Sequence, residues 1–123
     1  MVKTILVVDD ESSVAYTVKT GLESLDDSYN VITLNGGKEC LQYLKNNQKP
    51  DIILLDIMMP EMTGWETYDK IKENSSWNSI PIIFLTARTD EIARRTGNFL
   101  AEDYIEKPAK IPEIKQRIDT ILE

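Results

Sequence analysis

The chain has 123 residues, 41% of them hydrophobic, and its formal net charge is −7. This is the length of one domain, which can bury a core without disulfides or structural metal, and we expect it to span residues 1–123. The acidic balance argues against direct nucleic-acid binding, and the absence of histidine excludes imidazole general bases, histidine-ligated metals and a phosphohistidine of the chain's own.

The single cysteine, Cys40, cannot form an internal disulfide and falls on an apolar helical stripe, which favours a buried, inert thiol in a reducing compartment. The N-terminus carries no charged and apolar leader, and no apolar run approaches the roughly 20 residues that span a bilayer. We therefore expect a soluble, cytoplasmic protein.

Apolar runs of strand length alternate with segments of helical period, a pattern typical of βαβ units around a parallel sheet. The first and third runs are apolar throughout, which predicts central strands with helices on both faces. The pattern predicts strands at 3–8, 30–34, 51–56, 82–86 and 103–106, and helices at 13–25, 38–46, 64–73, about 91–96 and 112–122. The stripe of the first helix that we expect in the core comprises Val14, Thr17, Val18, Gly21, Leu22 and Leu25.

Polar side chains follow the carboxyl ends of four predicted strands. In chain order they are Asp9 and Asp10, Asp56, Thr86 and Lys107. Because these ends share one edge of a parallel sheet, where open α/β folds bind ligands, we expect the five side chains to meet there. The acidic pair alone is equally compatible with an ordinary solvated loop, but the four strand ends together favour a site.

This combination suits an aspartate that accepts a phosphoryl group beside a divalent cation. A carboxylate repels an incoming phosphate dianion, so a cation must lie between them. Mg²⁺, or Mn²⁺ in its place, prefers oxygen ligands, and Lys107 and the Thr86 hydroxyl can interact with the transferred group. The expected metal ligands are Asp9 through water, Asp10, Asp56 and the backbone carbonyl of Met58.

Four segments carry these residues: Asp9-Asp10-Glu11, Leu55–Gly64, Leu85-Thr86-Ala87 and Tyr104–Pro108. Together they resemble the receiver domain of two-component response regulators over essentially the whole chain. The resemblance implies an α/β fold with a doubly wound, five-stranded parallel sheet of order 2-1-3-4-5, as in flavodoxin and CheY. It implies that Asp56 is the phosphoacceptor, that Asp9 and Asp10 form the Mg²⁺ pocket, and that Lys107 and Thr86 contact the phosphoryl group.

The resemblance also implies a switch and a site that tunes phosphoryl lifetime. Thr86 and Tyr104 would form the switch. The peptide bond that corresponds to Lys107–Pro108 is commonly cis in this family. On residue type and position alone, Tyr104 is also compatible with an ordinary half-buried strand residue. Met58 and Arg88 stand where lifetime is tuned, and neither can accept a proton from water as a carboxylate does, so we expect slow self-dephosphorylation.

The chain departs from the family pattern around the fifth strand. Glycine and alanine usually precede that strand's acidic and aromatic residues, whereas this chain has Leu100–Glu102 there. Gly97-Asn98 falls where the fourth helix should continue, which predicts a short or distorted helix. Ala109 stands where an aromatic residue commonly follows the Lys-Pro pair.

The implied function is a phosphorylation-dependent signalling switch, a single-domain response regulator that accepts its phosphoryl group from a histidine kinase or phosphotransfer protein. We expect it to act through a downstream protein partner, as a monomer or a phosphorylation-dependent dimer, without membrane contact. We expect no enzymatic activity beyond Mg²⁺-dependent self-phosphorylation from a donor and slow self-dephosphorylation. The alternative is the receiver part of a longer DNA-binding transcriptional regulator.

Two other classes of protein remain as alternatives. A phosphohydrolase with an aspartyl-phosphate intermediate requires a general acid two residues past its nucleophile, where this chain has Met58. A flavin-binding domain of similar topology requires a phosphate-binding loop after the first strand, where the carboxylates of Asp9 and Asp10 would repel phosphate.

Overall fold

The computed structural model describes residues 2–86 and 103–123, with the backbone alone for Thr86. The strands are β1 (Lys3–Val8), β2 (Tyr29–Leu34), β3 (Ile52–Leu55), β4 (Ile82–Thr86) and β5 (Asp103–Glu106). The helices are α1 (Ser12–Leu25), α2 (Gly37–Asn46), α3 (Gly64–Glu73) and the C-terminal helix, α4 (Ile111–Leu122). Every predicted element in these ranges is confirmed to within one residue at each end. The helix predicted at about 91–96 lies outside the described residues, as do Arg88 and Gly97-Asn98.

All neighbouring strands pair in parallel, in the order β2-β1-β3-β4-β5, which confirms the predicted doubly wound sheet. The central strands β1 and β3 are level at their carboxyl ends, because Val8 pairs with Leu55. Thr86 likewise pairs with Glu106 at the ends of β4 and β5. This register places the residues that follow the four strands along one edge.

The sheet separates two hydrophobic clusters, one on each face. Ile5 and Val7 of β1 belong to the cluster beneath α1 and the C-terminal helix. Leu6 and Val8 belong to the cluster beneath α2 and α3. In the second cluster, Phe84 is surrounded by aromatic rings, with centroids 4.9 Å away in Trp65, 5.6 Å in Tyr68 and 5.7 Å in Tyr104. Cys40 is buried there as predicted, and burial raises its pKa to about 12.

The core stripe of α1 is narrower than the sequence predicts. Its buried residues are Ala15, Val18 and Leu22, whereas Thr17 is exposed and Leu25 is 48% exposed, so the prediction was wrong for those two. The residues of α1 that face the sheet are three and four positions apart. The adjacent side of the helix packs closely on the C-terminal helix. A Cβ at Gly21 would lie 2.7 Å from Cγ1 of Ile111, so any larger residue there would force the Ile111 side chain to shift. In the described ranges, no helix is long and apolar enough to cross a membrane.

Candidate functional site

Three aspartates converge at the carboxyl edge of the sheet. The amides of Asp9 and Asp56 donate to backbone carbonyls of neighbouring strands, at 3.0 and 2.9 Å, so both residues are fixed just beyond β1 and β3. One carboxylate oxygen from each of Asp9, Asp10 and Asp56 lies within 4.8 Å of the other two. Asp9 and Asp56 are buried and Asp10 is exposed. The group offers oxygen ligands from a half-open pocket, which suits a hard divalent cation that keeps part of its water.

The buried carboxylates each have one oxygen held by the backbone and one that faces an ammonium. Asp9 Oδ1 accepts from the Glu11 amide, and Asp56 Oδ1 accepts from the Ile57 amide, both at 2.9 Å. Lys107 Nζ then lies 2.6 Å from Asp9 Oδ2 and 3.6 Å from Asp56 Oδ2. The Lys107 ammonium therefore contacts both buried aspartates and is hydrogen-bonded to Asp9.

Burial raises the pKa of Asp56 to about 6, and the negative charge of Asp9 adds to the rise. The ammonium of Lys107 opposes this shift without cancelling it. Burial alone would lower the pKa of Lys107, but its hydrogen bond with Asp9 and the nearby carboxylates raise it. Burial and the neighbouring carboxylate thus disfavour the charged form of Asp56, and a divalent cation would offset that effect.

The segment after Asp56 is held at both ends. The Gly64 amide donates to Ile57 O at 2.8 Å, and a Cβ at position 64 would lie 2.2 Å from Asp56 O, so glycine is required where α3 meets the acidic pocket. Thr63 and Glu66 form a capping box that fixes the start of α3. This Thr-x-x-Glu pattern, on which the prediction of the helix did not depend, is a recognisable sequence signal of a helix start.

Of the other predicted site residues, the structure describes Met58, Tyr104 and the backbone of Thr86. Met58, two residues past Asp56, is 51% exposed, and Thr86 ends β4 at the carboxyl edge of the sheet. The Tyr104 ring stacks on Phe84 with an interplanar angle of 17°, and its buried hydroxyl has no hydrogen-bond partner among the described residues. The Lys107–Pro108 peptide is cis, as the resemblance implies.

An apolar groove opens beside the pocket, between α1 and the C-terminal helix, with a volume of about 500 Å³. Ala109 lines it together with Val14 and Ile111, and Lys107 lies at the end nearest the aspartates. The small side chain at position 109, one of the departures noted in the sequence, leaves part of this groove open.

The comparisons with known proteins agree with this geometry. Residues 5–119 match the family model described as the response regulator receiver domain. The chain belongs to the response regulator receiver family. Receiver domains generally bind Mg²⁺ at an acidic pocket and are phosphorylated by histidine kinases, and this receiver domain has a cluster of aspartates at the carboxyl edge of its sheet.

The relatives place this receiver module in proteins of different kinds. It is 39% identical over 119 residues to the "Probable transcriptional regulator ycf27" of Guillardia theta, covering 96% of this chain and 44% of that protein. It is also 39% identical over 122 residues to a "Probable cyclic di-GMP phosphodiesterase" of Vibrio cholerae, covering 98% of this chain and 26% of that protein. The chain thus spans less than half the length of these curated relatives.

Among solved structures, the chain is similar to the chemotaxis protein CheY4 of Vibrio cholerae, with a TM-score of 0.88 and 27% identity. That match covers 99% of this chain and 100% of CheY4. The receiver family comprises signalling proteins, and the match with CheY4 agrees with the strand order of the sheet.

Proposed function

We propose that this receiver domain is a phosphorylation-dependent switch that accepts a phosphoryl group from a histidine kinase, or from a phosphotransfer protein, onto Asp56. The observation that carries the proposal is the meeting of three carboxylates within 4.8 Å with an ammonium 3.6 Å from Asp56. A nucleophilic carboxylate, oxygen ligands for a cation and a positive charge for the transferred group are thereby present at one edge.

Asp56 Oδ2 is the oxygen that attacks. Its partner Oδ1 already accepts from the Ile57 amide, whereas Oδ2 faces Lys107 and the pocket. A bond forms between Oδ2 and phosphorus as the bond from phosphorus to the donor's imidazole nitrogen breaks, and that nitrogen keeps the electron pair. The products are an aspartyl phosphate and a dephosphorylated donor.

Mg²⁺, or Mn²⁺ in its place, would neutralise charge between Asp56 and the incoming oxygens. The residues proposed to hold it are Asp9, Asp10, Asp56 and the backbone carbonyl of Met58. Lys107 then contacts a phosphoryl oxygen as a compact cation, and the Thr86 hydroxyl donates to another. Beyond this transfer and slow hydrolysis, we propose no enzymatic activity.

The switch proposal rests on the position of Lys107 relative to Tyr104. Lys107 is bonded to Asp9 and lies three residues after Tyr104, at the end of β5. A phosphoryl group on Asp56 gives the ammonium a second anion to bind, and its differential contacts bias an existing equilibrium between two conformations. Tyr104 and Thr86 are the residues proposed to report that change to a partner.

Phosphoryl lifetime is proposed to depend on Met58 and Arg88. Met58 is an exposed residue two positions past Asp56, and its thioether cannot orient a hydrolytic water. We propose slow self-dephosphorylation for that reason. A phosphohydrolase is disfavoured on the same ground, because no acid stands at position 58.

The output is proposed to be a protein contact by a single-domain regulator, and the apolar groove beside Lys107 is a surface that a protein partner can cover. The second candidate is the receiver part of a DNA-binding regulator, favoured by the likeness to the ycf27 protein. The length of the open reading frame distinguishes the two.

Intact-mass spectrometry after treatment with acetyl phosphate and Mg²⁺ tests the proposed phosphoacceptor. The wild type should gain one phosphoryl group, and Asp56→Asn should gain none. Asp69→Asn, which removes the same charge from an exposed position of α3, should behave like the wild type. Comparable incorporation in Asp56→Asn, or in the wild type with excess chelator, would contradict the proposal.

A further inference from the structure

The strand β2 forms one edge of the sheet, and its outward backbone groups are within reach of α1. The Asp9 amide donates to Leu34 O at 3.0 Å, so Leu34 turns its backbone toward β1. Because backbone direction alternates along a strand, Val31 and Thr33 turn their N–H and C=O groups away from the sheet. Such outward groups are the template on which another strand can pair.

Two side chains of α1 occupy the outward groups of Val31. Glu23 Oε2 accepts from the Val31 amide at 2.9 Å, and Lys19 Nζ donates to Val31 O at 2.7 Å. The two side chains are also bonded to each other, at 3.0 Å. The backbone hydrogen bond from Val31 lowers the pKa of Glu23, so the carboxylate stays ionised. Lys19 and Glu23, which form a salt bridge one turn apart on α1, are thus both hydrogen-bonded to the backbone of β2.

The sequence of β2 indicates why these hydrogen bonds matter. The six residues Tyr29–Leu34 include no charge and no proline, and they are rich in β-branched and aromatic side chains. Edge strands are usually protected by a charged residue or a proline of their own, and segments without either are prone to pair with copies of themselves. Within β2 nothing provides that protection, so it must come from elsewhere.

We propose that Lys19 and Glu23 form a guard that closes the β2 edge to strand addition by β2 of a second copy of this chain. An edge strand can pair with its own copy across a twofold axis, because each copy then presents the same outward groups to the other. Pairing along the whole of β2 uses the N–H and C=O of Val31, which is its middle outward-facing residue, and the guard holds both. The inference is independent of phosphorylation.

Amide hydrogen exchange measures the guard directly in the unphosphorylated protein. Glu23→Ala should speed exchange of the Val31 amide by about tenfold relative to amides bonded within the β1–β2 ladder. Glu23→Gln keeps a side-chain oxygen as acceptor and should retain most of the protection. Unchanged exchange at Val31 in Glu23→Ala would overturn the proposal.

Sedimentation measures the self-association that the guard is proposed to prevent. Lys19→Ala with Glu23→Ala should lower the dissociation constant for self-association by about tenfold or more relative to the wild type. The matched control is Lys70→Ala with Glu73→Ala, which removes the same two charges from α3 and should sediment as the wild type does. A folded Lys19/Glu23 double variant that associates no more than this control would contradict the guard.

Adding Thr33→Pro to the double variant locates the contact. Proline removes an outward N–H and is tolerated on an edge strand, so association through β2 should be lost. Association that persists with Thr33→Pro would mean that another surface is responsible and would overturn the proposal. If the double variant does not fold, Lys19→Met alone provides the same sedimentation test, because it keeps the side-chain stem and removes the donor.

Discussion

Replacing Lys107 with methionine should strengthen Mg²⁺ binding, although lysine is proposed to assist phosphoryl transfer. The Lys107 ammonium lies 2.6 Å from Asp9 and 3.6 Å from Asp56, so it neutralises part of the charge that would attract the cation. Methionine keeps an unbranched apolar stem of similar length and removes the positive charge. The cation then meets the three carboxylates without a competitor.

The magnitude follows from the one strong contact that competes with the metal. A hydrogen bond to a charged group contributes about 1.5 to 3 kcal/mol, and the lower end corresponds to a dissociation constant for Mg²⁺ that is about tenfold smaller. Without metal the same variant should be less stable, because Asp9 is 2% exposed and loses its only ion-pair partner among the described residues. Breaking a buried pair on one side costs about 3 kcal/mol, and saturating Mg²⁺ should restore much of that loss.

Calorimetric titration with MgCl₂ measures the affinity, and urea unfolding with and without Mg²⁺ measures the stability. Lys45→Met removes one positive charge from an exposed position of α2 and should leave the Mg²⁺ affinity nearly unchanged. Asp10→Asn should weaken binding, because it removes an expected ligand. An affinity of Lys107→Met equal to or weaker than that of the wild type would refute the argument that Lys107 competes with the metal.

Two further predictions concern Tyr29, at the amino-terminal end of β2, and the phosphoryl lifetime. Burial, then the hydrogen bond that Tyr29 donates to Asp119, raises the pKa of Tyr29, so the unfolded chain ionises first and stability should fall as pH rises above about 10. Urea unfolding of Tyr29→Phe should show a loss of about 1 kcal/mol at pH 8 and a shallower alkaline decline, and an equally steep decline would count against this assignment. Met58→Asn with Arg88→Glu should speed phosphate release about tenfold, or 1.4 kcal/mol, if one well-oriented water is gained, and an unchanged or slower release would refute it.

The sequence predicts the fold well because its signals are local and agree with one another. Continuous apolar runs identify β1 and β3 as central strands, and Gly64 marks the start of α3. The same runs end on Asp9 and Asp56, and a parallel sheet brings such ends together whatever the loops do. The convergence of the site therefore follows from strand order alone.

What the sequence does not reveal are the contacts that depend on side-chain direction. Asp9 and Asp56 have equivalent places at strand ends, yet Lys107 is bonded to Asp9 and is 1 Å farther from Asp56. The guard on β2 is similar, since the spacing of Lys19 and Glu23 predicts only an ordinary helix salt bridge. Its bonds to Val31 depend on how α1 packs beside the edge strand, which periodicity does not specify.

Under the proposed function, the charges of the pocket allow one ammonium to serve before and after phosphorylation. Three carboxylates and Lys107 leave two negative charges, which one divalent cation balances, so a phosphoryl donor can approach without net repulsion. The proposed transfer would replace the single charge of Asp56 with a dianion and leave the pocket negative again. Because that new charge would lie on the side of Asp56 that faces Lys107, the ammonium would gain a stronger partner there than Asp9. Lys107, which is bonded to the neighbouring Asp9, is thus placed to respond to the phosphoryl group itself, and its movement would pull on the end of β5, three residues from Tyr104.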